Sequence, residues 1–169
     1  MSKNTKNIVL VGFMGCGKST LGKKIANKLG KTFVDMDAEI EKQEKVTISQ
    51  IFETKGEAYF RQLEHDYLKS LVVKNNLVIS TGGGTPCFFN NIEIINAIGK
   101  SVYIQLSPEA LKNRLQNETN KRPLIANLSG IQLLEFITIK LKEREQYYLQ
   151  SQIIFNASTT EESTLIGNL

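Results

Sequence analysis

The sequence predicts an α/β fold, in which a five-stranded parallel sheet carries helices on both faces. Short apolar runs alternate with segments of helical periodicity along the chain. Such alternation is typical of parallel strands that are joined by helical crossovers. The length of 169 residues and the hydrophobic content of 41% fit one domain over residues 1–169, because domains commonly hold about 100–200 residues.

The first elements follow from apolar spacing. Residues 8–11 form an apolar run that predicts a strand. Residues 20–29 predict a helix, since Leu21, Ile25 and Leu29 recur on one face. A strand followed directly by a helix is the unit from which parallel sheets are built.

A second strand and two helical stretches come next. Residues 31–35 predict a short strand that ends in acidic residues, and residues 38–44 predict a helix. Ser49 is expected to cap a helix that begins near Gln50. Gly56 is expected to interrupt that helix, beyond which apolar residues again recur at helical spacing.

Three further strands complete the predicted sheet, over residues 77–80, 101–106 and 153–155. A helix that starts at Pro108 and a long helix over residues 130–149 separate the last two strands. A short helix is expected near the end of the chain. In such sheets ligands bind beyond the carboxyl ends of the strands, so the loops there should form one cleft.

Residues 12–19 have the sequence Gly-Phe-Met-Gly-Cys-Gly-Lys-Ser and match the pattern G-x-x-x-x-G-K-[ST] between a strand and a helix. This context predicts a loop that binds a nucleoside triphosphate. Backbone N–H groups and the positive end of the helix hold the phosphates. Lys18 would reach the β- and γ-phosphates, and Ser19 would ligate Mg²⁺. The predicted ATP-binding residues are Gly15, Cys16, Gly17, Lys18, Ser19 and Thr20.

Asp35 and Asp37 form a candidate acidic pair at the end of the second strand. In an extended backbone, carboxylates two residues apart point the same way. One could bind Mg²⁺ through water and the other could accept a proton from a hydroxyl group; the alternative is a pair of solvated turn acids. The strand at 77–80 lacks the acidic residue that often holds Mg²⁺ in phosphate-loop proteins. Asp35 and Ser19 are therefore the predicted metal ligands.

A triple glycine, residues 82–84, and an arginine are candidates for binding a second ligand. The glycines let backbone N–H groups approach a ligand closely, although a flexible turn is the alternative. Arg61 has Glu57 and Glu64 nearby on a helical stretch. Its guanidinium could take a carboxylate in bidentate fashion, whereas the ordinary explanation is a solvated helix charge.

Arg122 precedes a proline in a polar stretch between two helices. This arrangement is typical of a mobile lid that carries a charge-neutralising arginine. The lid is predicted over about residues 116–128. His65, the one histidine of the sequence, is expected on a helix surface and is given no role.

Composition and charge argue against several classes of function. The net charge is +4, but the lysines are scattered, so no nucleic-acid partner is expected. No apolar run approaches the roughly 20 residues that span a bilayer, and residues 1–7 carry no signal-peptide core. No membrane partner, a cytoplasmic location and a monomer are expected. Cys16 and Cys87 have no metal-site spacing, and reduced thiols are expected rather than a regulatory disulfide.

Taken together, the motifs resemble the shikimate kinase family over nearly the whole chain. The phosphate loop alone is shared by many enzymes, whereas the ordered set is specific. The matching segments are residues 12–19, Asp35-x-Asp37, Gly56-Glu57-x-x-Phe60-Arg61-x-x-Glu64, Ser80-Thr81-Gly82-Gly83-Gly84, Lys121-Arg122-Pro123-Leu124 and Arg144-x-x-Tyr147.

The resemblance implies a P-loop kinase fold and transfer of the γ-phosphate of ATP to the 3-hydroxyl of shikimate, with Mg²⁺ as cofactor. It implies that Arg61 and Arg144 bind the shikimate carboxylate and that Asp37 binds ring hydroxyls, as base or as positioner. Glu64 would orient Arg61. The implied shikimate site comprises Asp37, Arg61, Gly82, Gly83 and Arg144, within a helical region over about residues 37–66.

The implied catalytic residues are Lys18, Asp37 and Arg122, with Arg122 closing over the phosphates. Arg114 is the candidate for contacting adenine, although its spacing to Arg122 departs from common members. Further adenine contacts are expected near the last strand, around Asn156. Mg²⁺ would be served by Ser19 and by Asp35, the latter through water.

Two other functions stay open at this point. A related small-molecule kinase, such as a gluconate kinase, would share the phosphate loop but would not need Arg61 and Arg144 together. A non-enzymatic nucleotide switch would need no acceptor-site acid beside the phosphates, so Asp37 counts against it.

Overall fold

The computed structural model describes residues 6–119 and 122–169; Lys121 of the predicted lid lies outside the described residues. The five strands are β1 (Asn7–Val11), β2 (Thr32–Asp35), β3 (Leu77–Ser80), β4 (Gly99–Gln105) and β5 (Ile153–Asn156). The helices are α1 (Lys18–Leu29), α2 (Met36–Glu44), α3 (Ile48–Ser70), α4 (Asn91–Ile98), α5 (Pro108–Leu115), α6 (Gly130–Tyr148) and α7 (Glu162–Gly167).

The five strands form one parallel sheet, as predicted, and their order in it is β2-β3-β1-β4-β5. β1 is buried over all five residues and pairs with β3 on one side and β4 on the other. A strand that is covered on both faces needs a continuous apolar run, and the sequence Ile8-Val9-Leu10-Val11 supplies it.

Helices cover both faces of this sheet. The chain moves from β1 outward to β2, and later from β3 across to β4 on the other side of β1. Because parallel crossovers are right-handed, these opposite moves place α1 on one face and α3, α4 and α6 on the other. The direction of winding therefore reverses around β1, and the loops after β1, β2 and β3 open into a crevice there.

Leu21 and Ile25 of α1 are buried, whereas Leu29, the last residue of this helix, is 37% exposed. One predicted detail is wrong. Thr47, not Ser49, caps α3.

The cap of α3 is a reciprocal pair. The Thr47 hydroxyl accepts a hydrogen bond from the Gln50 N–H (3.2 Å), and Gln50 Oε1 accepts one from the Thr47 N–H (2.9 Å). A capping box needs Gln or Glu three residues after the cap, which Thr47 has and Ser49 does not. Gly56 (φ 82°) interrupts the helical geometry, as predicted.

The helix α4 is absent from the sequence prediction, although its buried residues Ile92 and Ile95 lie three residues apart, as on one face of a helix. It fills the crossover between β3 and β4 and packs on β4. Within the described residues, no helix combines the length and hydropathy that crossing a membrane requires.

Candidate active site

Two adjoining cavities open at the carboxyl ends of β1, β2 and β3. The first cavity, about 690 Å³, is bordered by the phosphate loop and includes Gly15, Gly17, Lys18, Ser19, Thr20, Asp35, Asp37, Gly83, Arg114 and Arg122. The second cavity, about 350 Å³, is bordered by α3 and α6 and includes Asp37, Arg61, Gly82, Gly83, Arg122 and Arg144. Asp37, Gly83 and Arg122 line both. Except for Cys16, every predicted site residue lines one of these two cavities.

The phosphate loop is arranged to receive an anion. Gly17 has φ 98°, a backbone conformation that favours glycine, and this places α1 with its N-terminus at the first cavity. The Lys18 ammonium is buried and donates to the carbonyl oxygens of Gly12 (2.7 Å) and Phe13 (3.1 Å). The loop thus holds its own lysine beside N–H groups that are suited to phosphate oxygens.

Ser19 and Asp35 meet at the end of β2. The Ser19 hydroxyl donates to Asp35 Oδ2 at 2.8 Å, while Asp35 Oδ1 accepts from the backbone N–H of Asp37 (3.1 Å) as the cap of α2. The sequence analysis assumed an extended backbone over Asp35 and Asp37, and this assumption is wrong. Asp35 lies just before α2, and Asp37 projects from its first turn.

Asp37 is the exceptional carboxyl group of the site. Its Oδ1 atom is buried and has no hydrogen-bond partner among the described residues. Burial, and then the negative charges of Glu64 and Asp35, raise the pKa of Asp37 from 3.8 to about 6. A carboxylate with a raised pKa at the wall between two cavities is suited to accept a proton from a ligand that spans them.

Arg61 is not a solvated helix charge, because it is 6% exposed. Its Nη1 donates to Glu64 Oε2 (2.7 Å), and its Nε and Nη2 donate to Glu57 Oε1 (3.1 and 2.9 Å). The Phe88 ring covers the guanidinium at 4.4 Å. These contacts engage three of its five N–H groups, so that two are left for a ligand in the second cavity.

The triple glycine makes room for these side chains. A Cβ atom at Gly84 would lie 2.5 Å from Arg61 Nη1. The Gly83 carbonyl accepts a hydrogen bond from the buried Tyr148 hydroxyl at 2.5 Å. Tyr148 and Arg144 both lie on the last turns of α6, so one helix end contacts the turn and supplies an arginine to the second cavity.

Arg144 differs from Arg61 in its partners. It is half-buried, and its guanidinium lies 5.6 Å from the centre of the Phe13 ring. In the part of the chain that the structure describes, no acidic side chain forms an ion pair with Arg144. A half-buried cation without a carboxylate partner is suited to an anionic ligand.

The hydrogen bond to Gly83 leads to a testable prediction. Tyr148→Phe is expected to lower the free energy of unfolding by about 1–3 kcal/mol, because a carbonyl loses its donor within a packed site. Urea unfolding measures this. Tyr147→Phe is the matched control, since no hydrogen bond of the Tyr147 hydroxyl is found among the described residues. Equal midpoints for both variants would contradict the prediction.

A third cavity lies behind the phosphate loop and beside β5, near the place where further adenine contacts were expected. It encloses about 210 Å³ and is lined by Cys16, Thr20, Leu21, Ile104, Arg114, Phe155, Ala157 and Thr160, among others. Arg114 Nη1 donates to the Cys16 carbonyl (3.2 Å) and lines both this cavity and the first. Asn156 does not line it; its side chain accepts from the Ser158 N–H instead. No sequence motif indicated Ala157 and Thr160, which follow β5.

Three remaining predictions concern the lid, the histidine and the thiols. Arg122 pairs with Glu118, four residues earlier, at 3.2 Å; Arg122 lines both cavities and Glu118 lines the first. His65 is half-buried rather than on an open surface, and its Nδ1 lies 2.7 Å from Asn91 Oδ1. Cys16 and Cys87 are both free thiols.

Comparison with known proteins points to one family. The model of the shikimate kinase family matches residues 14–168. Shikimate kinase of Bacteroides thetaiotaomicron is 42% identical over 155 residues, which are 92% of this chain and 89% of that protein. Shikimate kinase of Azobacteroides pseudotrichonymphae is 42% identical over 165 residues, or 97% of each chain.

Solved structures agree. The shikimate kinase of Bacteroides thetaiotaomicron has a TM-score of 0.88 at 40% identity, over 97% of this chain and 93% of that one. The shikimate kinase of Acinetobacter baumannii, solved in complex with shikimate, has a TM-score of 0.85 at 34% identity, over 98% and 91%. A gluconokinase of Sinorhizobium meliloti shares the fold alone, with a TM-score of 0.56 at 16% identity. The chain belongs to the shikimate kinase family of ATP-dependent kinases.

Proposed function

We propose that this protein transfers the γ-phosphate of ATP to the 3-hydroxyl of shikimate, giving shikimate 3-phosphate and ADP for aromatic amino acid biosynthesis. One observation carries the proposal: the phosphate-loop cavity adjoins a cavity that is lined by Arg61 and Arg144, and Asp37 lies on the wall between the two cavities. Such a layout fits a triphosphate donor on one side and an anionic, hydroxylated acceptor on the other.

The nucleotide occupies the first and third cavities in this proposal. The N–H groups of the phosphate loop and the N-terminus of α1 bind the phosphates, and Lys18 exchanges its loop carbonyls for the β- and γ-phosphate oxygens. Arg114 lies between the two cavities, where it can cover the base in the third.

Ser19 and Asp35 fit a magnesium site. They supply a hydroxyl and a carboxylate oxygen 2.8 Å apart beside the phosphate loop. In the described part of the chain, no three His, Cys, Asp or Glu side chains are placed so that they could hold a metal ion together. Two protein oxygens suit Mg²⁺, which usually takes one or two protein ligands and completes its shell with water and phosphate. When bound, Mg²⁺ neutralises charge on the β- and γ-phosphates.

Shikimate occupies the second cavity. Its carboxylate binds Arg61 and Arg144, and the backbone of Gly82 and Gly83 contacts its ring. Glu64 holds Arg61 from behind. The acceptor hydroxyl then lies against Asp37 at the wall shared with the phosphate cavity.

Asp37 orients that hydroxyl and takes its proton at the unpartnered Oδ1 as the oxygen attacks the γ-phosphorus. Phosphoryl transfer depends mainly on positioning and charge neutralisation, which Lys18 and Arg122 supply. Arg122 leaves Glu118 when the lid, about residues 116–128, closes and excludes water.

The acceptor-binding region spans about residues 37–66 of a single domain over residues 1–169. We place the monomeric protein in the cytoplasm, where ATP is supplied.

A coupled assay of ADP release tests the proposal. With ATP, Mg²⁺ and shikimate, we expect turnover that exceeds the rate without acceptor by several orders of magnitude, because the enzyme aligns the acceptor with the phosphate. Gluconate is the matched control, since a gluconokinase shares the fold. A rate with shikimate no higher than with gluconate or water would refute the proposed acceptor.

A further inference from the structure

The hydroxyl group of Thr85 is fully buried and contacts Glu64, the buried acid that pairs with Arg61. Thr85 follows the triple glycine, begins a short 3₁₀ turn (Thr85–Cys87) and is 0% exposed. Its Oγ1 donates to Glu64 Oε1 at 2.6 Å, and Glu64 is 1% exposed. A short hydrogen bond to a buried carboxylate is among the stronger ones in proteins.

Both oxygens of Glu64 are thereby committed. Oε1 accepts from Thr85, and Oε2 accepts from Arg61 Nη1 at 2.7 Å. The Thr85 hydroxyl sets the rotation of the carboxylate, and the carboxylate sets the position of Nη1. The other acid on Arg61, Glu57, has a side chain that is 56% exposed, so the rigid part of the support is the buried pair.

Thr85 is itself fixed by the backbone. Its N–H donates to the Gly82 carbonyl (3.1 Å), and its carbonyl accepts from Asn91 Nδ2 (2.8 Å). Asn91 is also fully buried, and its Oδ1 accepts from His65 Nδ1 (2.7 Å). The hydroxyl is therefore held at a constant place relative to the glycine turn that borders the second cavity.

We propose that Thr85 is a positioning residue that fixes the Arg61 guanidinium for the acceptor carboxylate by holding Glu64. The inference rests on the proposed function, in which Arg61 binds that carboxylate. Without the hydroxyl, a buried carboxylate oxygen has no donor, and Glu64 turns toward Arg61 to satisfy it. The two free N–H groups of Arg61 then point away from their best direction, and affinity for shikimate falls while the phosphate side is unaffected.

The test compares Thr85→Val, which keeps the shape and removes the hydroxyl, with Thr85→Ser, which keeps the hydroxyl. For Thr85→Val we expect the KM for shikimate to rise about tenfold, the effect of losing one hydrogen bond to a charged group. The KM for ATP and kcat should change by less than about twofold, because neither depends on this contact. Thr85→Ser should restore the KM for shikimate to within about threefold of the unmodified protein.

Further variants separate the possible failures. Thr85→Cys, of similar size and with a weak donor, should give an intermediate KM for shikimate and replaces the valine variant if that one does not fold. An unchanged KM for shikimate in Thr85→Val, beside a large rise in Arg61→Ala, would overturn the role of Thr85 alone. An unchanged KM in Arg61→Ala would overturn the proposed function. Equal impairment of Thr85→Ser and Thr85→Val would show a structural role.

Discussion

Asp37→Asn is expected to lower kcat at least 100-fold and, at the same time, to stabilise the unliganded protein at neutral pH. The loss of turnover follows from removing a proton acceptor, since general-base catalysis contributes about 10²–10⁴-fold. The amide keeps the size of the side chain and can still contact the acceptor, so the KM for shikimate should change far less than kcat.

The gain in stability follows from the raised pKa. An unfolded aspartate ionises near 3.8, whereas the pKa of Asp37 in the folded protein is about 6. Between these values the folded state keeps a proton that the unfolded state loses, so stability falls as pH rises from about 3.8 to about 6. Above pH 6 the full loss of stability remains but grows no further. The difference corresponds to at most about 3 kcal/mol.

Unfolding midpoints at two pH values measure this effect. The stability difference between Asp37→Asn and the unmodified protein should be larger at pH 7.5 than at pH 5. Asp66→Asn is the control, since Asp66 is exposed and, among the described residues, its side chain is hydrogen-bonded only to Gln62 of its own helix. A fully active Asp37→Asn variant would remove the residue from the mechanism, and a destabilised one would contradict the electrostatic account.

Arg61→Ala is expected to raise the dissociation constant for shikimate by more than about 100-fold, because two hydrogen bonds to a carboxylate are lost. Nucleotide affinity should be largely retained, since Arg61 lies outside the phosphate-loop cavity. The substitution also leaves Glu64 buried without its cationic partner. The free energy of unfolding should therefore fall by about 3–5 kcal/mol.

Arg144→Ala is the control that separates these effects. Because Arg144 forms no ion pair among the described residues, its removal leaves no buried charge behind. Shikimate affinity should fall in both variants, and stability should fall mainly in Arg61→Ala. Calorimetric titration with shikimate and with ADP measures both affinities. Equal losses of shikimate and nucleotide affinity in Arg61→Ala would show that the arginine is structural.

The parts of the site that the sequence predicted well are local. The phosphate loop occupies consecutive residues, and its flanking strand and helix can be identified by apolar spacing within a few residues. The same holds for the strands of the sheet, each a short apolar run. The cap of α3 was missed because Thr47 and Ser49 both suit a helix start, and the reciprocal contact with Gln50 decides between them.

The parts that could not be predicted depend on contacts between distant elements. Thr85 reaches Glu64 across 21 residues, and Tyr148 reaches Gly83 across 65. No pattern of neighbouring residues in the sequence predicts either contact. The burial that turns Arg61 from a helix charge into a fixed guanidinium also comes from packing against Phe88, on another element. The resemblance to a family identified Arg61 and Gly83 as site residues. The structure adds the buried side chains of Thr85 and Tyr148, which hold Glu64 and Gly83 in position.

The glycine turn borders two cavities at once. Gly83 lines the wall of each, and its carbonyl is tied to the end of α6, which also carries Arg144. A ligand that displaces Arg144 is therefore expected to displace Gly83, which also lines the other cavity. Thermodynamic linkage makes any such influence mutual: whatever one substrate gains from the presence of the other, the other gains equally. We therefore expect the affinity for ATP to depend on whether shikimate is bound, and the affinity for shikimate to depend by the same factor on whether ATP is bound.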